Sequence, residues 1–176
     1  MQLVSSEYKV VLVDTHNATR NTWGGGHSVD KLPKYESLLK SLEVKTILDY
    51  GCANGKFKVY MDKHRPQYTV YEYDPGIEGK DQPPSPADFL VCCDVMEHVE
   101  PELLPNVMTH LQGLVVKGGF FNISTKEAIT LLSDGTNAHK IVRNGEWWVG
   151  VFNEYFRVED VEYTRIETNF KVFPKA

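Results

Sequence analysis

Apolar positions along this chain follow two periods, and the period changes at almost every cluster of glycine, proline or aspartate. Between residues 31 and 43, Tyr35, Leu38, Leu39 and Leu42 fall at i, i+3, i+4 and i+7, with Pro33 near the first turn, which predicts a helix. An apolar run at 45–49 predicts a strand. A glycine turn and a helix over about 55–64 follow, and RPQ closes that helix because residues before proline avoid the α region. YTVYEYD (68–74) alternates β-branched and aromatic residues and predicts a second strand. DFLVCCDV (88–95) is almost continuously apolar, the pattern of a strand covered on both faces. A helix over about 101–116 puts Leu104, Val107, Met108, Leu111 and Leu114 or Val115 on one stripe, with Gly118-Gly119 as its C-cap. FFNIS (120–124) predicts another strand, STKE a capping box opening a short helix to Leu132, and the two alternating stretches of 154–173 a closing antiparallel pair. In the first 27 residues, YKVVLVD reads as a strand and TWGGGHS as a sharply turning loop.

Strands alternating with helices imply an α/β sheet with helices on both faces, whose ligands bind at the carboxyl ends of the strands. That directs attention to Asp49 through Gly55, Asp74, Asp94 through His98, and Ser124 through Lys126. At 176 residues the expected organisation is one domain, with an arm over 1–30 able to act as a lid and a core over 31–176. A 41% hydrophobic and 24% charged composition fits a water-soluble globule, and a net charge of −5 gives no long-range pull toward nucleic acid or anionic membrane. The first residues carry neither a basic region nor an apolar stretch of signal-peptide length, and no run is long enough to span a membrane, so a cytoplasmic location is expected. Cys92 and Cys93, adjacent in a strand, point to opposite faces. With Cys52 they read as small buried hydrophobes in a reducing compartment. No C-x-x-C spacing suggests zinc, and no metal ligands are assigned.

Three motifs carry chemistry. In ILDYGCANGKF, Gly51 and Gly55 allow backbone to approach a ligand where a Cβ would clash, and a helix N-terminus follows. Asp74 ends the next strand, where a carboxylate can accept two hydrogen bonds from a ribose diol. An aspartate before Pro-Gly is otherwise an ordinary turn residue. In CCDVMEHVEPE, Asp94, Glu97 and His98 cluster just after a buried strand. Glu97 and Glu100 could also serve a helix N-terminus. The loop is G-x-x-x-G, without the G-x-G-x-x-G that packs a helix against a dinucleotide pyrophosphate.

ILDYGCANG, YEYDP, ADFLVCCDVMEHVEP and LQGLVVKGGFFNIS resemble, in order and spacing, the class I S-adenosylmethionine-dependent methyltransferases, above all small bacterial and phage-type members. The resemblance is good over about 45–125 and weaker over LLSDGTNAHKIVRNGEWW. It implies a Rossmann-like, doubly wound, mostly parallel sheet with a C-terminal antiparallel strand pair, and S-adenosylmethionine as cofactor. By position it gives the methionyl end of the cofactor to Asp49, Tyr50, Gly51, Cys52, Ala53 and Gly55, the ribose hydroxyls to Asp74, and the adjoining pocket to Asp94 and Val95. Two departures stand out. Ala53 occupies a usual glycine, so the turn must keep φ negative there or accept strain. The middle region between Asp74 and Ala87 is short and holds no clear strand, with Asp81 the one candidate for an adenine-side acid.

The implied reaction is methyl transfer to an O or N nucleophile of a small-molecule acceptor. His98 and His139 are the candidate general bases, and Glu97, Trp147 and Trp148 candidate substrate contacts. Asn144-Gly145 as a hairpin turn would send one tryptophan to the pocket and the other to the core. Trp23, His27 and the glycines between them could close as a lid. Neither the [D/N/S]-P-P-[Y/F/W] of amino-directed DNA methyltransferases after the 88–95 strand nor a Pro-Cys nucleophile occurs. The alternatives are a nicotinamide-dependent oxidoreductase, a non-catalytic S-adenosylmethionine-binding accessory protein, and a methyltransferase acting on nucleic acid or protein with a partner. Oligomeric state is not readable from the chain.

Overall fold

The computed structural model describes residues 1–19 and 23–175, so Arg20, Asn21 and Thr22 of the arm, with Ala176, lie outside the described residues. The sheet has six strands, β1 (Thr46–Tyr50), β2 (Thr69–Tyr73), β3 (Ala87–Cys93), β4 (Val115–Ser124), β5 (Phe156–Tyr163) and β6 (Glu167–Pro174), in the order β2-β1-β3-β4-β6-β5. The first four are parallel, and β6 and β5 close the far edge antiparallel. This is the Rossmann-like arrangement expected. The chain runs outward from β1 to β2 and then returns to place β3 on the other side, so the topological switch point lies between β1 and β3. Among the described residues no strand forms between β2 and β3, and β2 is the edge.

Helices α1 (Ser6–Ala18), α2 (His27–Asp30), α3 (Leu32–Ser41), α4 (Lys56–His64), α5 (Leu104–Leu114) and α6 (Gly145–Tyr155) surround the sheet. Side-chain alternation in β3 separates the two faces. Leu90 and Cys92 pack with α5 and α6 through Met108, Leu111, Trp148 and Phe152, whereas Phe89, Val91 and Cys93 pack with α3 and α4 through Tyr35, Leu39, Phe57 and Met61. Each fully buried side chain of this size contributes roughly 1.5–3 kcal/mol. The three cysteines are buried and unbridged, Cys92 and Cys93 on opposite faces as expected.

Four expectations are corrected. YKVVLVD is not a strand but lies in α1: Tyr8, Leu12, Thr15 and His16 share one buried helical face, and Ser5 caps the N-terminus by accepting the Tyr8 N–H at 3.1 Å. The β-branched run suggested a strand, and the tertiary face it covers overrides that propensity. Gly118-Gly119 do not cap α5, which ends at Leu114. They lie within β4, where a Cβ on Gly119 would sit 3.0 Å from the Leu90 carbonyl. STKE opens no helix. The Thr125 N–H stays with the sheet end, donating to Ile166 O, and 125–144 is irregular apart from a bridge between Leu131 and Asn137. Asn144-Gly145 is not a hairpin: Asn144 caps α6, its Oδ1 accepting the Trp147 N–H at 3.0 Å.

Candidate active site

A cavity of about 120 Å³ opens at the carboxyl ends of β1 and β3, at the switch point, where sheets of this kind bind their ligands. Its floor at one end is the loop after β1. Gly51 has φ +81°, and a Cβ there would lie 2.3 Å from Val95 Cγ2, so only glycine leaves this surface open. The amides of this loop are turned inward. Those of Gly51 and Cys52 donate to Tyr73 O at 2.7 and 3.1 Å, that of Gly55 to Cys52 O, and that of Ala53 to Asp74 Oδ2 at 2.8 Å. The loop therefore offers a close bare surface rather than the row of free donors the glycines suggested. Ala53 accepts strain, with φ +44°, and Lys80 Nζ, also paired with Glu72, donates to its carbonyl at 3.2 Å.

Asp74 stands at the cavity wall, almost fully buried. Its two oxygens accept the N–H groups of Ala53 and Gly76, at 2.8 and 2.9 Å, which fixes the carboxylate and leaves a lone pair on each oxygen for a diol. Asp49 lies behind the wall, 2% exposed, with Oδ1 accepting the Ser28 hydroxyl at 2.9 Å. Burial raises its carboxyl to about 7, against the Ser28 hydrogen bond that lowers it. Tyr50 and Cys52 are buried away from the opening, the Tyr50 hydroxyl 3.2 Å from His110 Nδ1.

The roof comes from the arm, from the stretch expected as a strand. Leu12, His16 and Tyr8 of α1 line the cavity, and the helix is fastened at its rim. Ser5 N–H donates to Glu100 Oε2, Tyr8 hydroxyl to His98 O, and Lys9 Nζ to Asp81 Oδ2, at 2.8 to 2.9 Å. Glu100 thus serves the start of α1 rather than the helix that follows it, and Asp81 is spent on Lys9. Trp23 lies 4.8 Å from His16 and 5.5 Å from His98, ring centre to ring centre, with Gly24 and Gly25 beside it. The segment expected as a lid is thus seated on the cavity. The i, i+4, i+8 spacing of Tyr8, Leu12 and His16 was the available signal for the roof. Ser28 gave none.

A family model described as a methyltransferase domain matches residues 27–171. The chain belongs to that family. It is a class I S-adenosylmethionine-dependent methyltransferase. The same fold occurs in the 1,6-didemethyltoxoflavin-N1-methyltransferase of Burkholderia thailandensis, solved with 1,6-didemethyltoxoflavin and S-adenosylhomocysteine (15% identity, TM-score 0.68, 100% of this chain and 93% of that one). It occurs too in the magnesium protoporphyrin IX methyltransferase of Synechocystis PCC 6803, solved with S-adenosylmethionine (14% identity, TM-score 0.63, 99% and 100%). A search among curated proteins finds no match. The cavity of this methyltransferase suits the cofactor. Gly51 keeps the cradle clear, and among the described residues His16 Nδ1 is a buried nitrogen without a partner in its wall.

On the β3 side of the methyltransferase cavity stand Asp94, with φ +59°, Val95, which lies against Gly51, and His98. His98 Nδ1 lies 2.8 Å from Ala138 O and its ring meets His139 edge-on at 4.7 Å, so the two candidate bases are brought together. Burial lowers His98 to about 4, against the attraction of Asp94. Glu97 is fully buried behind them. Its Oε1 accepts the Ser124 N–H, its carbonyl accepts those of Lys140 and Ile141, and burial followed by the Asp94 charge pushes its carboxyl well up. Trp148 is buried in the core, and Trp147 lies on the surface beside Arg143, so neither is brought to the cavity. Among the described residues no helix is long and apolar enough to cross a membrane.

Proposed function

We propose that this methyltransferase methylates an oxygen or nitrogen nucleophile of a small molecule. The observation that carries the reading is the roof. α1 and Trp23 cover the cavity, and α1 is tied down at both flanks through Glu100, His98 and Asp81, which leaves room for a compact acceptor and none for a folded polymer surface. The names of the Burkholderia and Synechocystis enzymes, both acting on small molecules, agree with it. When bound, S-adenosylmethionine supplies an electrophilic methyl carbon on a sulfonium, open to in-line displacement.

The protein's own residues align and enclose. Asp74 holds ribose hydroxyls with the lone pairs its backbone partners leave free. Asp49, buttressed by Ser28, supports the loop from behind rather than touching ligand. Leu12, Trp23 and Val95 exclude water, and Asp94 and His98 present polar atoms where an acceptor would enter. Near-attack alignment of this kind supplies roughly 7–11 kcal/mol of a bimolecular barrier. The test is incubation with methyl-labelled S-adenosylmethionine and a metabolite extract. Label in one small-molecule fraction is expected. Label confined to added RNA, DNA or protein would overturn the small-molecule reading.

A further inference from the structure

Asp94, His98 and His139 each bring one ligand-type atom to within 4.8 Å of the others, and of the three Asp94 and His98 line the cavity. Two imidazoles and one carboxylate are the donor set of open transition-metal sites, in which three protein ligands leave positions for a substrate. The surroundings fit that use. His98 Nδ1 is 2.8 Å from Ala138 O and His139 Nδ1 is 2.5 Å from Lys126 O, and a carbonyl partner fixes Nδ1 as the protonated nitrogen of each ring. Nε2 of each is then the nitrogen with a lone pair, the arrangement that outer-shell carbonyls impose on metal-binding histidines.

His139 is also held by design of its loop. Segment 125–144 has no helix and one isolated bridge, a length of irregular chain that is uncommon without a function. Asn137 knots it, accepting the N–H groups of Ala128 at 3.1 Å and His139 at 2.9 Å and donating to Ala128 O at 2.9 Å. Asp94 takes a left-handed conformation in the turn that leaves β3, its N–H anchored on Asn122 O at 2.9 Å. On its other side Oδ2 lies 3.5 Å from His27 Nε2.

We propose that Asp94, His98 and His139 bind a divalent first-row transition metal ion, and that its open positions hold the heteroatom of the methyl acceptor. The second clause rests on the methyltransferase reading; the metal site does not. Two imidazoles favour Zn²⁺, Co²⁺ or Fe²⁺ over Mg²⁺ and Ca²⁺, which take oxygen ligands.

The test strips the protein with a chelator and titrates it with Co²⁺ by visible absorption and with Zn²⁺ by calorimetry, S-adenosylhomocysteine binding being measured in parallel. One ion per chain is expected, unchallenged by excess Mg²⁺, with the intense d–d bands of a low-coordinate nitrogen-ligated site. His139→Ala, at a half-exposed position, should weaken binding by about 100-fold or more, by extension from the 10–100-fold losses seen when only supporting partners are removed. The same variant should keep S-adenosylhomocysteine affinity and melting temperature. His98→Gln is the second variant, its folding checked by circular dichroism. Native-like Co²⁺ spectra and affinity in His139→Ala, or no stoichiometric binding, would overturn the metal site. S-adenosylhomocysteine binding without metal binding would sink this inference alone, and metal binding without S-adenosylhomocysteine binding would leave the metal site standing and sink the clause that places the methyl acceptor on it.

Discussion

The two ends of the cavity are built by opposite means. At the cofactor end, β1, its glycine loop and β2 form one stretch from residue 46 to 76, and the bonds that shape the loop close within it: the N–H groups of Gly51 and Cys52 donate to Tyr73 O, and those of Ala53 and Gly76 to the Asp74 carboxylate. At the acceptor end, Asp94 and His98 come from the exit of β3, His139 from a loop about 40 residues on, Trp23 and His27 from the arm, and Tyr8 from α1. The first end is a local motif and the second a tertiary assembly. A local motif is set by turn chemistry and conformational restriction over a few residues. An assembly depends on loop closures whose entropy only the folded whole offsets.

The largest effect should fall on the local end. On the proposed reading, Asp74→Ala removes two charge-assisted hydrogen bonds to a ribose, each contributing about 1.5–3 kcal/mol, and it leaves two backbone N–H groups without their acceptor. Calorimetry should find S-adenosylhomocysteine affinity reduced by about 100-fold or more. Asp74→Asn, which keeps the shape and one acceptor, should fall between. Equal affinity in all three proteins would break the assignment of the ribose to Asp74.

Next comes a pH effect that tells the supporting acid from the contacting one. Folding raises Asp49 to about 7 from an ordinary 3.8, mainly through burial, with Glu72 and Asp74 adding to it and Ser28 and Lys80 opposing. The folded state therefore keeps a proton that the unfolded chain releases above about pH 4. The stabilisation is complete below that pH and is lost as pH rises through about 7, a loss on the order of 4 kcal/mol. In urea unfolding at a series of pH values, Asp49→Asn should flatten this part of the curve. Superimposable curves would show that Asp49 does not carry the proton.

These differences also explain what the sequence made legible. β1, β2, β3, α4 and α5 were readable because each has its own period and its own punctuation, and Gly51 and Asp74 because their roles are local. α1 was misread because Lys9 to Val13 is locally a β-branched run, and only contact with the cavity decides that Tyr8, Leu12 and His16 share a face. The 125–132 segment was misread because a capping box needs the N-cap N–H for its own glutamate, and here the Ser124 N–H is taken by Glu97, a partner 27 residues away. His98 and His139 could be named singly. Their pairing with Asp94 could not, because nothing in a sequence states which loop returns to which strand.

The assembled end can be probed without touching a ligand-type atom. Asn137→Ala cuts the three hydrogen bonds that knot the 125–144 loop, and His139 loses its fixed position. Turnover should drop about 10-fold, since small misplacements of a positioning group have costs of this order. S-adenosylhomocysteine affinity should stay within about threefold, because the cofactor end shares none of these bonds. A matched loss of both would mean that the two ends are one mechanical unit.

The smallest effect separates the ends by what strain is for. Ala53 and Asp94 both take left-handed backbone at the cavity, with φ of +44° and +59°. For a residue with a Cβ that conformation costs roughly 1–2 kcal/mol relative to glycine, and glycine gives back about 0.5–1 kcal/mol through the freer unfolded chain. Ala53→Gly should therefore stabilise the protein by no more than about 1 kcal/mol in urea unfolding and leave the affinity for S-adenosylhomocysteine almost unchanged. The Ala53 N–H and carbonyl, not its methyl, make the bonds to Asp74 and Lys80. Asp94→Gly relieves the same kind of strain but removes the carboxylate beside His27, so its stability gain should come with loss of turnover. At the local end strain is incidental to the side chain. At the assembled end it is the means by which a carboxylate is held where the histidines meet.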